Sequence, residues 1–300
     1  MFKGCGTALV TPFKSDQSLD ETTLRSLIRR QIEEGIDFIV PCGTTGESPT
    51  LEHDEHLRVV EIAIEEAKGH VPVLAGAGGY NTKHVIRMAR DVEKLGADGI
   101  LSVTPYYNKP TQEGLYQHFK AIAESVDLPI ILYSVQPRTN VNIEPATVER
   151  LAKISNIVGI KEASGSVAQV ASIVARVPGD FLVLSGDDSV TLPVISLGGH
   201  GVISVVSNQI PAAMTMMTHK ALTGDYPGAR AIQAKYQLLM EVNFIEASPG
   251  PVKLAMSMME LLEPHYRLPI VRPQETSEKR IRKVLEDCGL LEARSLTSVI

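Results

Sequence analysis

The chain of 300 residues has no tryptophan, three cysteines and 5% aromatic residues. Cys5, Cys42 and Cys288 are too few and too scattered for a disulfide framework, and none forms a Cys-x-x-Cys pair. A reducing compartment is therefore expected, most simply the cytoplasm. No apolar run reaches the length needed to span a bilayer, so no membrane association is expected. The N-terminal Met1-Phe2-Lys3-Gly4-Cys5-Gly6 lacks the apolar stretch of a secretory signal. Basic residues are outnumbered, 29 against 35 acidic ones, giving a net charge of −6 without a basic stripe. That balance argues against nucleic acid as a partner. What remains, 44% apolar and 21% charged residues, is enough to bury a sizeable core in a soluble protein.

Metal and nucleotide signatures are equally thin. His53-Asp54-Glu55-His56 spaces its histidines three apart, where a zincin helix needs four, and no third ligand is evident. Gly76-Ala77-Gly78-Gly79 lacks the third glycine of a dinucleotide fingerprint and reads as a tight turn. Asp187-Asp188 reads as an acidic turn capping the next helix, and Gly198-Gly199-His200-Gly201 as the turn into the last strand. No metal, no nucleotide and no other cofactor is expected.

What is there is a regular beat. Short apolar runs at Gly4–Val10, Phe38–Cys42, Val71–Ala75, Gly99–Thr104, Pro129–Val135, Ile157–Ala163, Phe181–Ser185 and Gly201–Val206 predict eight strands. Between them lie helical patterns at Glu21–Glu34, Leu51–Ala67, Thr82–Lys94, Gln112–Ser125 and Pro145–Ile154. Asp20, Asn81 and Thr111 are placed to cap three of these, and Pro145 suits a first helical turn. Alternating strands and helices imply right-handed βαβ units, and eight of them fit a closed (β/α)₈ TIM barrel, an α/β fold. After the eighth strand only helices follow, at Ala212–Thr223, Tyr226–Ile245, Pro251–Leu262 and Ser277–Asp287. The expected division is a barrel over 1–223 and a small C-terminal helical appendage over 224–300, with 292–300 carrying no strong pattern.

One residue breaks its strand. Lys161 lies in Ile157-Val158-Gly159-Ile160-Lys161-Glu162-Ala163, an otherwise apolar run. Burial disfavours a charged ammonium, and an uncharged amine forms Schiff bases with carbonyl compounds. Alternatively, the stem packs and the head snorkels into water. In a barrel the active site lies at the C-terminal strand ends. Those ends carry Thr44, Thr45, Tyr106, Tyr107, Tyr133, Lys161 and the Gly186-Asp187-Asp188 turn. An amine with a phenol beside it is what carbinolamine chemistry needs, one attacking and the other moving protons. Each residue alone has a plainer reading: a tight turn at Gly43–Glu47, rim or interface packing for Tyr106 and Tyr107, core for Tyr133 and a surface charge for Arg138. Clustered at strand ends of one barrel, they are no longer independent.

The chain resembles the pyruvate-dependent class I aldolases and lyases, the superfamily of N-acetylneuraminate lyase, and within it the dihydrodipicolinate synthases. The resemblance runs from Phe2 to about Leu291. It is carried by Gly43-Thr44-Thr45-Gly46-Glu47-Ser48, Pro105-Tyr106-Tyr107-Asn108-Lys109-Pro110, Tyr133 with Arg138-Thr139, and Gly159-Ile160-Lys161-Glu162-Ala163. Ser185-Gly186-Asp187-Asp188 and Gly199-His200-Gly201-Val202-Ile203-Ser204 match as well. The resemblance implies that Lys161 forms an imine with pyruvate and that Thr45 with its backbone holds the pyruvate carboxylate. It implies a proton relay from Tyr133 through Thr44 to a Tyr107 reaching in from a neighbouring subunit, hence a homotetramer built as a dimer of dimers. Gly186 and the Ile203 carbonyl would line the imine pocket, and Arg138 would hold the carboxylate of aspartate semialdehyde. The sialic-acid lyases lack this arginine pattern.

Two departures stand out. Where the family reads Asn-Val-Pro-x-Arg after the tyrosine, this chain has Ser134-Val135-Gln136-Pro137-Arg138, with the proline moved by one place. Proline fixes its own φ and constrains its predecessor, so a changed approach of Arg138 is expected, with imine formation untouched. The resemblance also implies a regulatory lysine site near Ser48, His53, His56, Tyr106 and positions 80 and 84. Sensitive members carry asparagine and glutamate at the last two, whereas here they are Tyr80 and His84. Loss of that carboxylate removes a charge-assisted bond of roughly 1.5–3 kcal/mol, so weak or absent feedback is expected. His53 and His56 read equally well as solvated positions on the second helix. The leading expectation is synthesis of 4-hydroxy-tetrahydrodipicolinate in the lysine and diaminopimelate pathway. The rivals are another pyruvate-dependent aldolase acting on a sugar acid or hydroxy-oxo acid, and a non-catalytic pyruvate-binding regulatory barrel.

Overall fold

A computed structural model describes residues 1–292; the rest of the C-terminal tail, 293–300, lies outside the described residues. Eight strands form one parallel sheet: β1 (Gly4–Ala8), β2 (Phe38–Val40), β3 (Leu74–Gly76), β4 (Gly99–Val103), β5 (Ile130–Ser134), β6 (Ile157–Glu162), β7 (Leu182–Ser185) and β8 (Gly201–Ser204). β1 pairs with both β2 and β8, and the remaining strands follow in chain order back to β3. The circle is completed by a parallel bridge between Ile39 and Val73, the Ile39 amide donating to the Pro72 carbonyl at 3.0 Å. β3 begins later than the apolar run Val71–Ala75 suggests: Pro72 has no amide hydrogen, and the Val73 N–H donates to Asp98 Oδ2 at 2.8 Å.

Helices α1 (Glu21–Glu33), α2 (His53–Ala67), α3 (Thr82–Leu95), α4 (Gln112–Ala123), α5 (Gln136–Thr139), α6 (Pro145–Leu151), α7 (Val167–Val174), α8 (Thr191–Ser196) and α9 (Pro211–Leu222) surround the barrel. The capping side chains act as their types predict: Asp20 accepts from Thr23 N–H, Asn81 from Lys83 and His84, and Thr111 from Gly114. Three helices have no counterpart among the sequence expectations. α7 is rich in β-branched residues that read as strand and is started by the Ser166 cap, α8 has a proline at its third position, and α5 is a single turn.

Strand side chains divide cleanly into two sets. Leu101, Ile131, Tyr133, Leu184 and Ile203 meet inside the barrel, whereas Ile100, Ile130, Leu132, Val183 and Val202 join the layer beneath the helices. Burial on both faces explains why these strands read as continuous apolar runs rather than as alternation. α10 (Tyr226–Val242), α11 (Gly250–Met258) and α12 (Glu275–Asp287) follow the barrel. Their Leu239, Val252, Leu254 and Ile281 belong to the same core cluster as Leu24 and Val59, so the helical region shares the barrel's outer hydrophobic layer.

Candidate active site

Lys161 is only 4% exposed. The β5–β6 register sets it directly opposite Tyr133, and the two side chains share the barrel interior. Its Nζ lies 4.4 Å from the centre of the Tyr133 ring. Among the described residues no carboxylate stands within ion-pairing distance of it; Glu162, its neighbour, points the other way. Gly186 makes room for the lysine stem: a Cβ there would stand 3.1 Å from Lys161 Cε and 2.5 Å from Ala163 Cβ. Ile203, fully buried on β8, is on the same interior wall.

A cavity of about 590 Å³ has Thr44, Tyr133, Val135, Arg138 and Thr139 in its lining. Gly76–Gly79, Ser48, His53, His56, Tyr80, His84 and Tyr106 line the same cavity. All six positions singled out as a possible regulatory site thus border one space. His56 is not a solvated position: it is buried, its Nε2 bonds the Gly76 carbonyl at 2.8 Å, and burial holds its pKa below the ordinary histidine range. His53 is partly exposed and pairs with Asp91 at 3.2 Å. Tyr80 and Tyr106 stack edge-to-face with centroids 5.2 Å apart, and burial with the nearby Tyr80 pushes the Tyr106 hydroxyl pKa up.

The turn after β2 is wound on itself. Gly46 N–H donates to the Gly43 carbonyl and Glu47 N–H to the Thr44 carbonyl, each at 3.1 Å, while Thr11 Oγ1 holds the Gly46 carbonyl at 2.7 Å. Thr45 is buried and Thr44 faces the cavity. Tyr107 does the opposite: at φ 70° in the loop after β4, it is 91% exposed and outside its own cavity. The moved proline is absorbed without loss of the arginine. Pro137 occupies the first turn of α5, where its missing N–H costs nothing, and Arg138 still lines the cavity. Arg138 Nη2 reaches the Ser248 carbonyl at 3.5 Å, so the helical region touches a residue of the cavity lining.

Three features escaped the reading of the sequence. A polar chain runs behind the strands from Ser134 through Asn142 and Gln169 to Glu162, with links of 3.3, 3.0 and 2.9 Å. Burial pushes the Glu162 carboxyl up, against the pull of hydrogen bonds from Ser164 and Gln169. Asp188 does not cap the helix that follows it: buried, it accepts from Val205 and Val206 N–H at 3.0 and 2.9 Å, just beyond β8, while Asp187 caps the short turn that follows. Glu47 and Lys253 form a buried ion pair at 2.6 Å. A signal for it existed: Lys253 sits in Pro251-Val252-Lys253-Leu254-Ala255-Met256, apolar all round, and such a helix is buried.

The Dihydrodipicolinate synthetase family model matches residues 1–288. A 4-hydroxy-tetrahydrodipicolinate synthase of Koribacter versatilis (strain Ellin345) is 51% identical over 97% of this chain and 97% of its own length. Another, of Syntrophus aciditrophicus (strain SB), is 52% identical over 97% of this chain and all of its own. The crystal structure of a chloride-inhibited dihydrodipicolinate synthase from Acinetobacter baumannii, complexed with pyruvate, superposes with a TM-score of 0.95 at 41% identity, covering 97% of this chain and 100% of that one.

Proposed function

The chain belongs to the Dihydrodipicolinate synthetase family, and we propose that it condenses pyruvate with aspartate 4-semialdehyde to 4-hydroxy-tetrahydrodipicolinate, with Lys161 as the imine-forming residue. The observation that carries this reading is a buried lysine amine beside a phenol ring, without a carboxylate partner, at the C-terminal end of a barrel strand. Lys161 Nζ attacks the keto carbon of pyruvate, and water leaves as the imine forms. Tyr133 is the group placed to carry protons to and from the carbinolamine oxygen. Thr45 and the amides of its turn receive the carboxylate, and Thr44 lines the cavity together with Tyr133. The iminium draws electrons from C3, which loses a proton to give an enamine. The enamine carbon attacks the aldehyde carbon of the second substrate, whose carboxylate Arg138 holds. The amine of the new chain then adds to the imine carbon and displaces Lys161 Nζ, closing the ring and freeing the enzyme.

The exposure of Tyr107 supports its projecting into a neighbouring subunit, in a dimer of dimers. Among the described residues no helix is long and apolar enough to cross a membrane. With Tyr80 and His84 in the cavity lining and no carboxylate at either position, inhibition by lysine is weak or absent; clear inhibition at sub-millimolar lysine contradicts that. Pyruvate-dependent consumption of aspartate semialdehyde, coupled to an NADPH-linked reductase, tests the main reading. Turnover should vanish in Lys161→Ala and collapse in Arg138→Ala. Imine formation without turnover on this aldehyde would redirect the assignment to a pyruvate aldolase with another acceptor.

A further inference from the structure

Glu47 follows Thr44-Thr45-Gly46 directly and occupies the left-handed region at φ 54°, a conformation that costs a residue with a side chain and suits glycine. Its carbonyl accepts from Thr50 N–H and Oγ1 at 2.9 and 3.0 Å, and its amide donates back to Thr44. The carboxylate turns inward to Lys253 Nζ, 2.6 Å away, the two side chains being 1% and 0% exposed. Lys253 arrives from α11, outside the barrel, and its Nζ lies 4.5 Å from the Phe13 ring centre and 5.4 Å from that of Tyr266. Glu47 Oε2 and the Tyr266 hydroxyl are buried without a partner among the described residues. Burial holds the Lys253 pKa below the ordinary lysine range, against the pull of Glu47. Next to Tyr266 in the chain, Arg267 grips the same segment through the Thr50 carbonyl at 2.9 Å and Glu55 at 2.6 Å.

Such a pair is a poor source of stability, because desolvating both ions costs about as much as their attraction returns. What it does supply is a fixed point. A side chain anchored at both ends holds Glu47 in a backbone state it would otherwise leave, and Thr44 and Thr45 are wound onto that state by the same turn.

We propose that the Lys253–Glu47 pair positions the Thr44–Thr45 turn for the substrate carboxylate, so that helix α11 sets the affinity of the barrel for its keto acid. The inference rests on the reading of Lys161 as the imine-forming residue. Neither Glu47 nor Lys253 touches the reacting atoms; both act through the turn.

The test is borohydride trapping of pyruvate on wild-type protein, Lys253→Met and the double variant Glu47→Gln/Lys253→Met, with melting midpoints and steady-state KM and kcat. Lys253→Met leaves a buried carboxylate unpaired and melts early, whereas the double variant removes both charges and regains its midpoint. The expected result is a double variant that melts like wild type and still needs roughly tenfold more pyruvate for half-maximal trapping, with KM raised in step and kcat little changed. A double variant with wild-type half-saturation overturns the inference, as does one whose trapping falls only in step with unfolding. Wild-type protein that traps no pyruvate overturns the functional reading, and this inference with it.

Discussion

Lys161 and Lys253 are both buried, the first inside the barrel at the end of β6 and the second on α11 outside it. Lys253 faces a carboxylate at 2.6 Å and the rings of Phe13 and Tyr266. Lys161 faces the Tyr133 phenol ring, with no carboxylate in reach among the described residues. An amine that must attack a carbonyl cannot also be held by an anion, whereas one that must hold a turn in place has to be. The difference between a reacting and an anchoring lysine therefore lies in the partner, since burial is nearly the same for both. His118 shows a third solution for a buried base. Its Nδ1 meets Thr82 Oγ1 at 2.8 Å, its Nε2 has no partner among the described residues, and burial pushes its pKa down to about 4.

The contrast can be broken experimentally. Lys161→Met should drop turnover to background in the coupled assay while leaving the melting midpoint unchanged or higher, since no anion loses a partner. Lys253→Met should instead lower the free energy of unfolding by about 3–5 kcal/mol, read from denaturant titration, because Glu47 stays buried and unpaired. Glu47→Gln in the same chain should restore most of that loss. A third expectation concerns pH. His118 is uncharged in the native protein at neutral pH, and the unfolded chain takes up its proton as pH falls below about 6.5. The stability His118 contributes is therefore complete above that value and is lost progressively down to about pH 4, to a limit of about 3 kcal/mol. His118→Gln should flatten the acid limb of the melting-midpoint profile over that window. The smallest expected effect is Gly186→Ala, whose methyl group would crowd Lys161 Cε and Ala163 Cβ at an overpacking cost of about 1–3 kcal/mol. It should raise the pyruvate needed for trapping without touching the Glu47–Lys253 pair.

Most of the barrel was legible because its signals are local. Each strand announces itself by an apolar run, and Asp20, Asn81 and Thr111 announce helix starts by side-chain chemistry that needs only the next three residues. Lys161 was legible for the same reason, as the odd residue within its own strand. The anchoring lysine was not, since Glu47 and Lys253 lie 206 residues apart and neither is unusual among its immediate neighbours except for the apolar run around Lys253. α7 and α8 were missed because β-branched residues and proline speak against helix locally, and packing against the barrel decides otherwise. The burial of His56 is not legible locally, because its partner is the Gly76 carbonyl, 20 residues away on β3.

The most direct test of the difference between the two lysines is borohydride reduction in the presence of pyruvate, followed by peptide mapping. Reduced pyruvate should be found on Lys161 and absent from Lys253. An adduct on Lys253, or none on Lys161, would contradict the assignment of the unpaired barrel lysine as the reacting one.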